Sequence, residues 1–169
     1  NADVAYMWIH EAFISYSENL FVEYHYGKKA GTEYVLGKRR RIRNNSPIEG
    51  TVGIDRSGSG DMYTKGANML HTLRHWLGND QTWRSILRGL NETFYHQTVT
   101  GGQVEAYIAE TSGLDLEAFF NQYLRDVRIP VLEYTIEEEG LRYRWTQTVN
   151  GFDMPVKASI NGDTIKLTP

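Results

Sequence analysis

Apolar residues recur at a helical spacing in the first part of the chain. Between Asp3 and Gly27 the apolar positions are Ala5, Trp8, Ile9, Ala12, Phe13, Tyr16, Leu20 and Tyr24. A repeat of about 3.6 residues predicts an amphipathic helix with one buried face. Asp3 can cap the start of this helix, and Gly27 can end it because glycine readily leaves the helical conformation.

The same spacing predicts five further helices before residue 131, each marked by a capping or a helix-breaking residue. The first of them covers residues 29–43, and the next follows Ser59 or Asp61 and ends at Gly78. The other three cover residues 80–94, 100–110 and 115–130. Asp80 and Asp115 are the expected caps of the fourth and sixth helices. Thr100 and Gln103 have the spacing of a capping box, which predicts the start of the fifth.

Two stretches depart from the helical pattern. Residues 44–60 are rich in Asn, Ser, Pro and Gly, which predicts a long loop of the kind that often borders a functional site. After Pro130 apolar and polar residues alternate on both sides of Glu139–Gly140, which predicts a β-hairpin. Asn-Gly pairs at 150–151 and 161–162 predict further tight connections between short strands.

These elements predict an α+β fold. We expect a mainly α-helical lobe of about six helices at residues 3–130, followed by a small antiparallel β unit at residues 131–169. The chain has 169 residues, 40% hydrophobic and 12% aromatic, so it can bury a substantial core.

Composition narrows the classes of partner. A net charge of −3 predicts no general attraction to nucleic acid or to anionic membranes. No apolar run approaches the roughly 20 residues that a membrane-spanning helix needs. There is no cysteine, so a metal site would have to use His, Asp or Glu. The sequence therefore predicts no nucleic-acid partner and no membrane segment in this chain.

One dense basic run, KRRRIR at residues 38–43, qualifies that expectation. It could contact a phosphate backbone, which would make the chain a nucleic-acid-binding module. Cations also favour the C-terminal end of a helix, where they lie in solvent. Because the whole chain is acidic and carries no recognition motif, we interpret the run as a solvated helix end.

Two glutamates interrupt the apolar stripe of the first helix. Glu11 lies among Trp8, Ala12 and Phe13, and Glu18 follows seven residues later on nearly the same helix face. The pattern predicts a deeply buried Glu11, which is costly unless a cation or a hydrogen-bond donor meets it. A rigidly held carboxylate is a suitable zinc ligand. Buried acids are more often paired with Arg or Lys from another helix, and spacing alone favours that explanation.

The histidines give a weaker metal signal. None of them belongs to an H-E-x-x-H motif, and His10 points about 100° away from Glu11 around the helix. His71 and His75 have the i, i+4 spacing that can bind zinc. Polar positions on an amphipathic helix explain such a pair equally simply, and we favour that explanation.

The stretch GSGDMYTKGANML, residues 58–70, places Tyr63 in the first turn of the third helix, beside the long loop. It lacks the phosphate-loop pattern G-x-x-x-x-G-K-[ST]. A phenol in that position could donate a hydrogen bond to a developing oxyanion. Taken alone, Tyr63 is more typical of a half-buried packing residue.

Two motifs considered together change these interpretations. The stretches WIHEAFISYSE and MYTKGANMLHTLR resemble the aminopeptidase N family of gluzincin zinc metallopeptidases, which carries a W-x-x-E-G-F-A-x-Y-x-E helix and then a Y-x-K-G-A helix. The matching residues are Trp8, Glu11, Phe13, Tyr16, Glu18, Tyr63, Lys65, Gly66 and Ala67. The resemblance continues through LRHWLGNDQTWRSILRGL and SGLDLEAFFNQYL and into the strands after Pro130.

The resemblance implies a role for each matching site residue. Glu11 corresponds to the third protein ligand of the zinc ion, and Tyr63 to the tyrosine that stabilises the oxyanion of the attacked peptide bond. Glu18 would steady the helix that carries the ligand without touching the metal. Three neighbours depart from the family motif, since His10, Ala12 and Ile14 replace its usual Asn, Gly and Ala; these changes alter packing and remove no ligand.

Two parts of the family's catalytic machinery are absent from the sequence. These are the H-E-x-x-H helix, with two His ligands and the general-base Glu, and the G-x-M-E-N strand that binds the amino terminus of the substrate. Because the chain also lacks an initiator Met, we expect it to be a piece of a longer protein whose upstream part holds the rest of the zinc site.

The resemblance therefore implies a longer protein that is an aminopeptidase with one zinc ion and removes N-terminal residues from peptide substrates. One carboxylate cannot hold catalytic zinc, which needs about three protein ligands. We expect this chain alone to bind no zinc tightly and to have no peptidase activity. The alternative is a non-catalytic helical scaffold, a pseudopeptidase that binds a protein partner.

Overall fold

The structure, a computed structural model, describes residues 1–138, 140–160 and 162–169. Within these residues six α-helices precede four β-strands, which confirms the predicted α+β class. The helices are α1 (Trp8–Tyr26), α2 (Lys28–Lys38), α3 (Asp61–Leu77), α4 (Asp80–Thr93), α5 (Gly101–Ser112) and α6 (Glu117–Phe120). The strands are β1 (Val131–Glu137), β2 (Gly140–Thr146), β3 (Val156–Ile160) and β4 (Asp163–Leu167).

The first two helices form at the predicted places. Asp3 caps a 3₁₀ turn at Val4–Met7, which leads into α1, and its Oδ1 accepts a hydrogen bond from the Ala5 amide at 2.8 Å. Gly27 ends α1 with a φ of 90°, a conformation that glycine adopts without strain. A 3₁₀ turn at Arg39–Arg41 extends α2, and these three arginines are exposed, as expected of a solvated helix end.

Helices α1 and α3 form the centre of the lobe. Their contacting faces carry the fully buried core residues Trp8, Ala12, Tyr16, Ala67, Leu70 and Leu73. The predicted apolar stripe of α1 is buried only in its first half. Tyr24, at the far end of the stripe, is 85% exposed. Burial of aromatic and aliphatic area between these two helices holds the lobe together.

The predicted long loop is confirmed, and it is anchored to the lobe by backbone hydrogen bonds. The Ile48 and Glu49 amides donate to the Leu124 carbonyl at 3.1 and 3.0 Å, and the Gly50 amide donates to the Ala5 carbonyl at 2.9 Å. Ile48 is completely buried. The loop therefore packs across the start of α1 and reaches the start of α3.

Two helix starts differ from the prediction. Asn79 rather than Asp80 caps α4, because Asn79 has an extended backbone and its side chain accepts from the Gln81 and Thr82 amides. Asp80 is the first residue of the helix and pairs with Arg74 instead. The sixth helix begins at Glu117, after Asp115 has accepted a hydrogen bond from the Glu117 amide at 3.2 Å.

The other boundaries follow the sequence more closely. Thr100 and Gln103 form the predicted capping box at the start of α5. After α6 a wider π-helical turn, Asn121–Arg125, completes the helical segment. Asp126 then adopts an extended backbone, so the helix ends at Arg125, five residues before Pro130, rather than at Pro130.

The C-terminal part contains two separate antiparallel pairs in the residues that are described, β1 with β2 and β3 with β4. The predicted Asn150–Gly151 connection is a turn in which Gly151 has a φ of 77°. The predicted turns at Glu139–Gly140 and Asn161–Gly162 each include a residue outside the described part of the chain.

The segment between β2 and β3 packs against the helical lobe. The Val149 amide donates to Gln122 Oε1 at 2.7 Å, and Phe152 is nearly buried beside Tyr123 and Trp145. The proposed division of the chain at residue 130 stays a prediction. No helix in the described part of the chain is long and apolar enough to cross a membrane.

Candidate active-site residues

Helices α1 and α3 approach each other closely at Ala12 and Gly66. A Cβ atom on Gly66 would lie 2.5 Å from the Ala12 Cβ, so only glycine fits at that position of α3. Glu11 directly precedes Ala12, and Tyr63 lies one helical turn before Gly66. The packing of the two helices therefore places both candidate residues within about one turn of the crossing point.

Glu11 lies at the rim of the buried face of α1. Trp8 and Ala12 are fully buried, whereas Glu11 is only partly buried, so the prediction of a deeply buried carboxylate is wrong. The reason is the 100° step of the helix, which turns Glu11 away from the centre of the stripe. Among the residues described, no cation or hydrogen-bond donor engages its carboxylate.

Glu18 has a different environment. Its carboxylate accepts a hydrogen bond from the Tyr34 hydroxyl at 2.7 Å and pairs with the Lys38 ammonium, both on α2. The hydrogen bonds from Lys38 and then Tyr34 lower the pKa of Glu18. Glu18 therefore links α1 to α2 and is ionised at neutral pH.

Tyr63 is exposed in the first turn of α3. Its side chain is 46% exposed, and its hydroxyl has no hydrogen-bond partner within the part of the chain that is described. The turn itself is fixed, since the buried Asp61 carboxylate accepts from the Arg43 amide at 3.1 Å and the Asn44 amide at 2.6 Å. The phenol is thus held on a rigid element with its O–H available to a ligand.

In the His71–His75 pair, His71 is buried in the lobe and His75 is exposed. The two Nε2 atoms are 3.1 Å apart, and His71 is 4% exposed. Burial first, and then the neighbouring charges of His75, Arg74 and Arg39, lower the pKa of His71 to about 4. Both rings therefore share one hydrogen bond as neutral groups near neutral pH. Across the described residues, no group of three or more potential metal ligands occurs.

Two polar residues of α3, Lys65 and Asn68, are buried, although the sequence predicts burial for neither and marks Lys65 only as a motif residue. Both are 7% exposed. A signal was present, because both lie beside Gly66, Ala67, Met69 and Leu70, a small and apolar stretch of α3. A lysine within such a run is unusual in a folded interior.

A comparison with protein-family models decides the family. The peptidase family M1 domain matches residues 4–123, which includes the whole of α1, α3, α4 and α5. The chain belongs to peptidase family M1. The match confirms the resemblance to the aminopeptidase N family drawn from the two motifs.

Curated relatives of this M1 chain carry aminopeptidase names. The alanine/arginine aminopeptidase of Saccharomyces cerevisiae is 28% identical over 155 residues, which is 83% of this chain and 17% of the relative. Aminopeptidase 2, mitochondrial, of the same yeast is 26% identical over 148 residues, 79% of this chain and 15% of the relative. Aminopeptidase N of Lactococcus lactis subsp. lactis is 28% identical over 80 residues, 47% of this chain and 9% of the relative. The chain therefore spans less than a fifth of the length of these relatives.

Family M1 peptidases are zinc-dependent in general. The question is therefore which side chains of this M1 chain are suitable zinc ligands. Glu11 offers a carboxylate oxygen, a normal zinc donor, on a rigid helix, and no other described side chain engages it. It fits as one ligand of a set. The histidines at 71 and 75 fit less well, since their Nε2 atoms lie 3.1 Å apart and bond to each other.

Proposed function

We propose that this chain is part of a zinc-dependent aminopeptidase and that it supplies Glu11 as a zinc ligand and Tyr63 as the oxyanion-stabilising donor. The single observation that carries the proposal is the M1 family match over residues 4–123, which includes both residues. The aminopeptidase names of the relatives support the same reaction. The substrate would be a peptide from which the N-terminal residue is hydrolysed.

The geometry of the α1–α3 crossing supports the proposed roles. Glu11 presents a negatively charged oxygen at the rim of the buried face, where a positive ion could lie beside it without competition from another described residue. The Tyr63 hydroxyl is carried by the anchored first turn of α3 and bonds to no other described residue. Both groups are available to ligands because no side chain in the described part of the chain engages them.

The chemistry of the step divides between the metal and the chain. The Lewis-acid contribution to peptide hydrolysis comes from zinc when it is bound. The Tyr63 O–H donates a hydrogen bond to the carbonyl oxygen of the scissile peptide as negative charge develops on it. Glu18 keeps α1 in place through Tyr34 and Lys38, so that Glu11 keeps its position.

This assignment includes a proposal about the chain in isolation. Glu11 is one ligand, and catalytic zinc requires about three from the protein. The remaining ligands and the general base would come from elsewhere in the longer protein. The isolated chain should then show neither tight zinc binding nor hydrolysis of aminoacyl substrates.

The alternative, a helical scaffold without catalysis, has less support. A pseudopeptidase has no need to retain a carboxylate and a phenol at the two motif positions. Here both are present, and both are without internal partners among the described side chains. We therefore favour the catalytic function.

The experiment is a zinc and activity measurement on the longer protein with Glu11→Gln, a substitution that keeps size and removes the charged donor. We expect loss of most of the bound zinc and of aminoacyl-p-nitroanilide hydrolysis. Glu33→Gln is the matched control, because the Glu33 side chain is 67% exposed on α2, where it pairs with Lys29 at 3.7 Å. Full zinc occupancy in the Glu11 variant would contradict the ligand assignment.

A further inference from the structure

A cavity lies between the helical lobe and the C-terminal part of the chain, and residues of both line it. Its volume is about 430 Å³, large enough for a small organic molecule. Polar side chains from α2's extension and α3 line one wall, and apolar side chains from residues 129–154 line the other. The residues on which the argument depends are Arg39, Lys65, Asn68, Ile129, Trp145 and Met154.

Lys65 carries a charge that the described residues leave without a counterion. The side chain is 7% exposed, and its ammonium donates one hydrogen bond, to the Asp126 carbonyl at 2.8 Å. It forms no ion pair within the described part of the chain. Burial lowers the pKa of Lys65, as it does for any ammonium that loses hydration. A buried cation of this kind is costly unless an anion compensates it.

The two carboxylates that act on Lys65 from a distance, Asp61 and Asp126, are already engaged. Asp61 accepts hydrogen bonds from the Arg43 and Asn44 backbone amides. Asp126 pairs with the Arg128 guanidinium at 2.6 Å. Neither carboxylate forms an ion pair with the Lys65 ammonium, so an anion in the cavity would be its direct partner.

Arg39 adds a second cation to the same wall. Its Nε donates to Asn68 Oδ1 at 2.8 Å, while the Asn68 amide nitrogen donates to the Val35 and Thr64 carbonyls. Asn68 therefore fixes the guanidinium at the cavity. No carboxylate pairs with Arg39 among the residues that the structure describes, so its remaining N–H donors are available to a ligand.

The facing wall is apolar. Ile129, Trp145 and Met154 line it, and the Trp145 indole N–H is already used by the Met154 carbonyl at 2.8 Å. This wall offers contact area and little hydrogen bonding. A ligand that bonds to the cations of one wall and packs on the apolar side chains of the other has an anionic group at one end and an apolar group at the other.

We propose that this cavity is a binding site for a small carboxylate with an apolar tail, whose carboxylate contacts Lys65 and Arg39 and whose tail packs on Trp145 and Met154. A carboxylate accepts charge-assisted hydrogen bonds from both cations at once. The site is independent of the proposed aminopeptidase function, since it uses neither Glu11 nor Tyr63.

Calorimetric titration with hydrocinnamate and its neutral analogue hydrocinnamamide tests the charge requirement. We expect saturable binding of hydrocinnamate, at least about tenfold tighter than binding of the amide. The reason is that one charge-assisted hydrogen bond lowers the dissociation constant by about a factor of ten. Equal binding of the two probes, or no saturable binding of hydrocinnamate, would overturn the proposal.

Variants locate the site. Arg39→Gln and Lys65→Met should each weaken hydrocinnamate binding about tenfold and leave amide binding unchanged. Arg41→Gln is the matched control, because Arg41 belongs to the same basic run but does not line this cavity. An equal loss in the Arg41 variant would show general charge attraction and refute the site. Arg39 is exposed, so its variant gives a result even if Lys65→Met folds poorly.

Discussion

Ala12 and Gly66 meet so closely that the two helices could not cross here if both residues carried a Cβ. A Cβ on Gly66 would lie 2.5 Å from the Ala12 Cβ and 3.2 Å from the Ala12 Cα. The crossing therefore needs one glycine, and α3 provides it. Since Glu11 and Tyr63 lie within about one turn of this point, the same contact that packs the lobe also sets the spacing of the candidate active-site residues.

Gly66→Ala should destabilise the chain although alanine is the better helix former. The added methyl group would overlap Ala12, and overpacking of this kind costs about 1–3 kcal/mol of unfolding free energy. The higher helix propensity of alanine raises the unfolding free energy by at most about 1 kcal/mol. Urea unfolding followed by circular dichroism measures the difference.

Two further variants test the cause. Ala12→Gly combined with Gly66→Ala moves the methyl group across the crossing, and we expect stability within about 1 kcal/mol of the original chain. Gly37→Ala, on α2 with nothing within 4 Å of the new Cβ, should raise stability by about 0.5–1 kcal/mol. A Gly66→Ala chain as stable as the Gly37→Ala chain would show that the crossing can relax.

Arg74 connects three helices, and Arg74→Met should cost about 2–4 kcal/mol of unfolding free energy. Its guanidinium donates to both Glu23 oxygens, at 2.6 and 2.7 Å, and its Nε donates to Asp80 at 2.8 Å. Arg74 is 11% exposed and Glu23 is 18% exposed. Removing the arginine leaves the Glu23 carboxylate unpaired and shielded from water. An unpaired charge in such a place accounts for most of the stability that is lost when a buried ion pair is broken.

The exposed pair of Lys29 and Glu33 provides the comparison for Arg74. Its charged atoms are 3.7 Å apart, and the two side chains are 91% and 67% exposed. Lys29→Met should therefore change the unfolding free energy by less than about 0.5 kcal/mol. If Arg74→Met and Lys29→Met lowered the unfolding free energy by similar amounts, burial would not strengthen the ion pairs of Arg74 with Glu23 and Asp80.

Acid should destabilise the chain through His71. The pKa of His71 is lowered from 6.5 to about 4 in the folded chain, mainly by burial. Between these values the unfolded chain binds more protons than the folded chain, so the stability due to neutral His71 is complete above pH 6.5 and is lost as the pH falls towards about 4. We expect a loss of about 2 kcal/mol between about pH 7.5 and pH 5.

His71→Gln isolates this contribution, because glutamine does not titrate. Urea midpoints at about pH 7.5 and pH 5 should differ less for His71→Gln than for the unchanged chain, whatever the stability of the variant at neutral pH. His25→Gln is the control, since His25 is exposed at the end of α1 and should leave the pH dependence unchanged. An unaltered pH dependence in the His71 variant would refute the assignment.

The sequence was most informative where local physics decides the outcome. The helix α1, the Gly27 stop and the Thr100–Gln103 capping box are predicted from neighbouring residues alone, and the structure has all three, although only the first half of the apolar stripe of α1 is buried. Asp80 is predicted to cap α4, but Asn79 caps it. Asp80 pairs with Arg74 instead, a contact outside the helix that local sequence does not encode.

The candidate site shows the same limit. Periodicity indicated which face carries Glu11, but it overstated the burial, which depends on how α3 lies across α1. The partners of Glu18 come from α2, so no spacing within the first helix could have given them. The Lys65 cavity is built from residues up to 115 positions apart in the sequence (Arg39 to Met154), and only the folded chain brings them together.

Tyr63→Phe in the longer protein should lower kcat for hydrolysis of aminoacyl substrates by about 10²–10³-fold, because it removes a hydrogen bond that strengthens as the oxyanion develops. KM and zinc content should change little, since the phenol does not hold the metal or the ground-state substrate in this proposal. Tyr26→Phe is the matched control, as Tyr26 is 74% exposed at the end of α1. Because Tyr63 is itself 46% exposed and unbonded among the described residues, its variant should keep the stability of the unchanged chain within about 0.5 kcal/mol. An unchanged kcat in a folded, zinc-loaded Tyr63→Phe protein would remove Tyr63 from the mechanism and leave Glu11 as the contribution of this chain to catalysis.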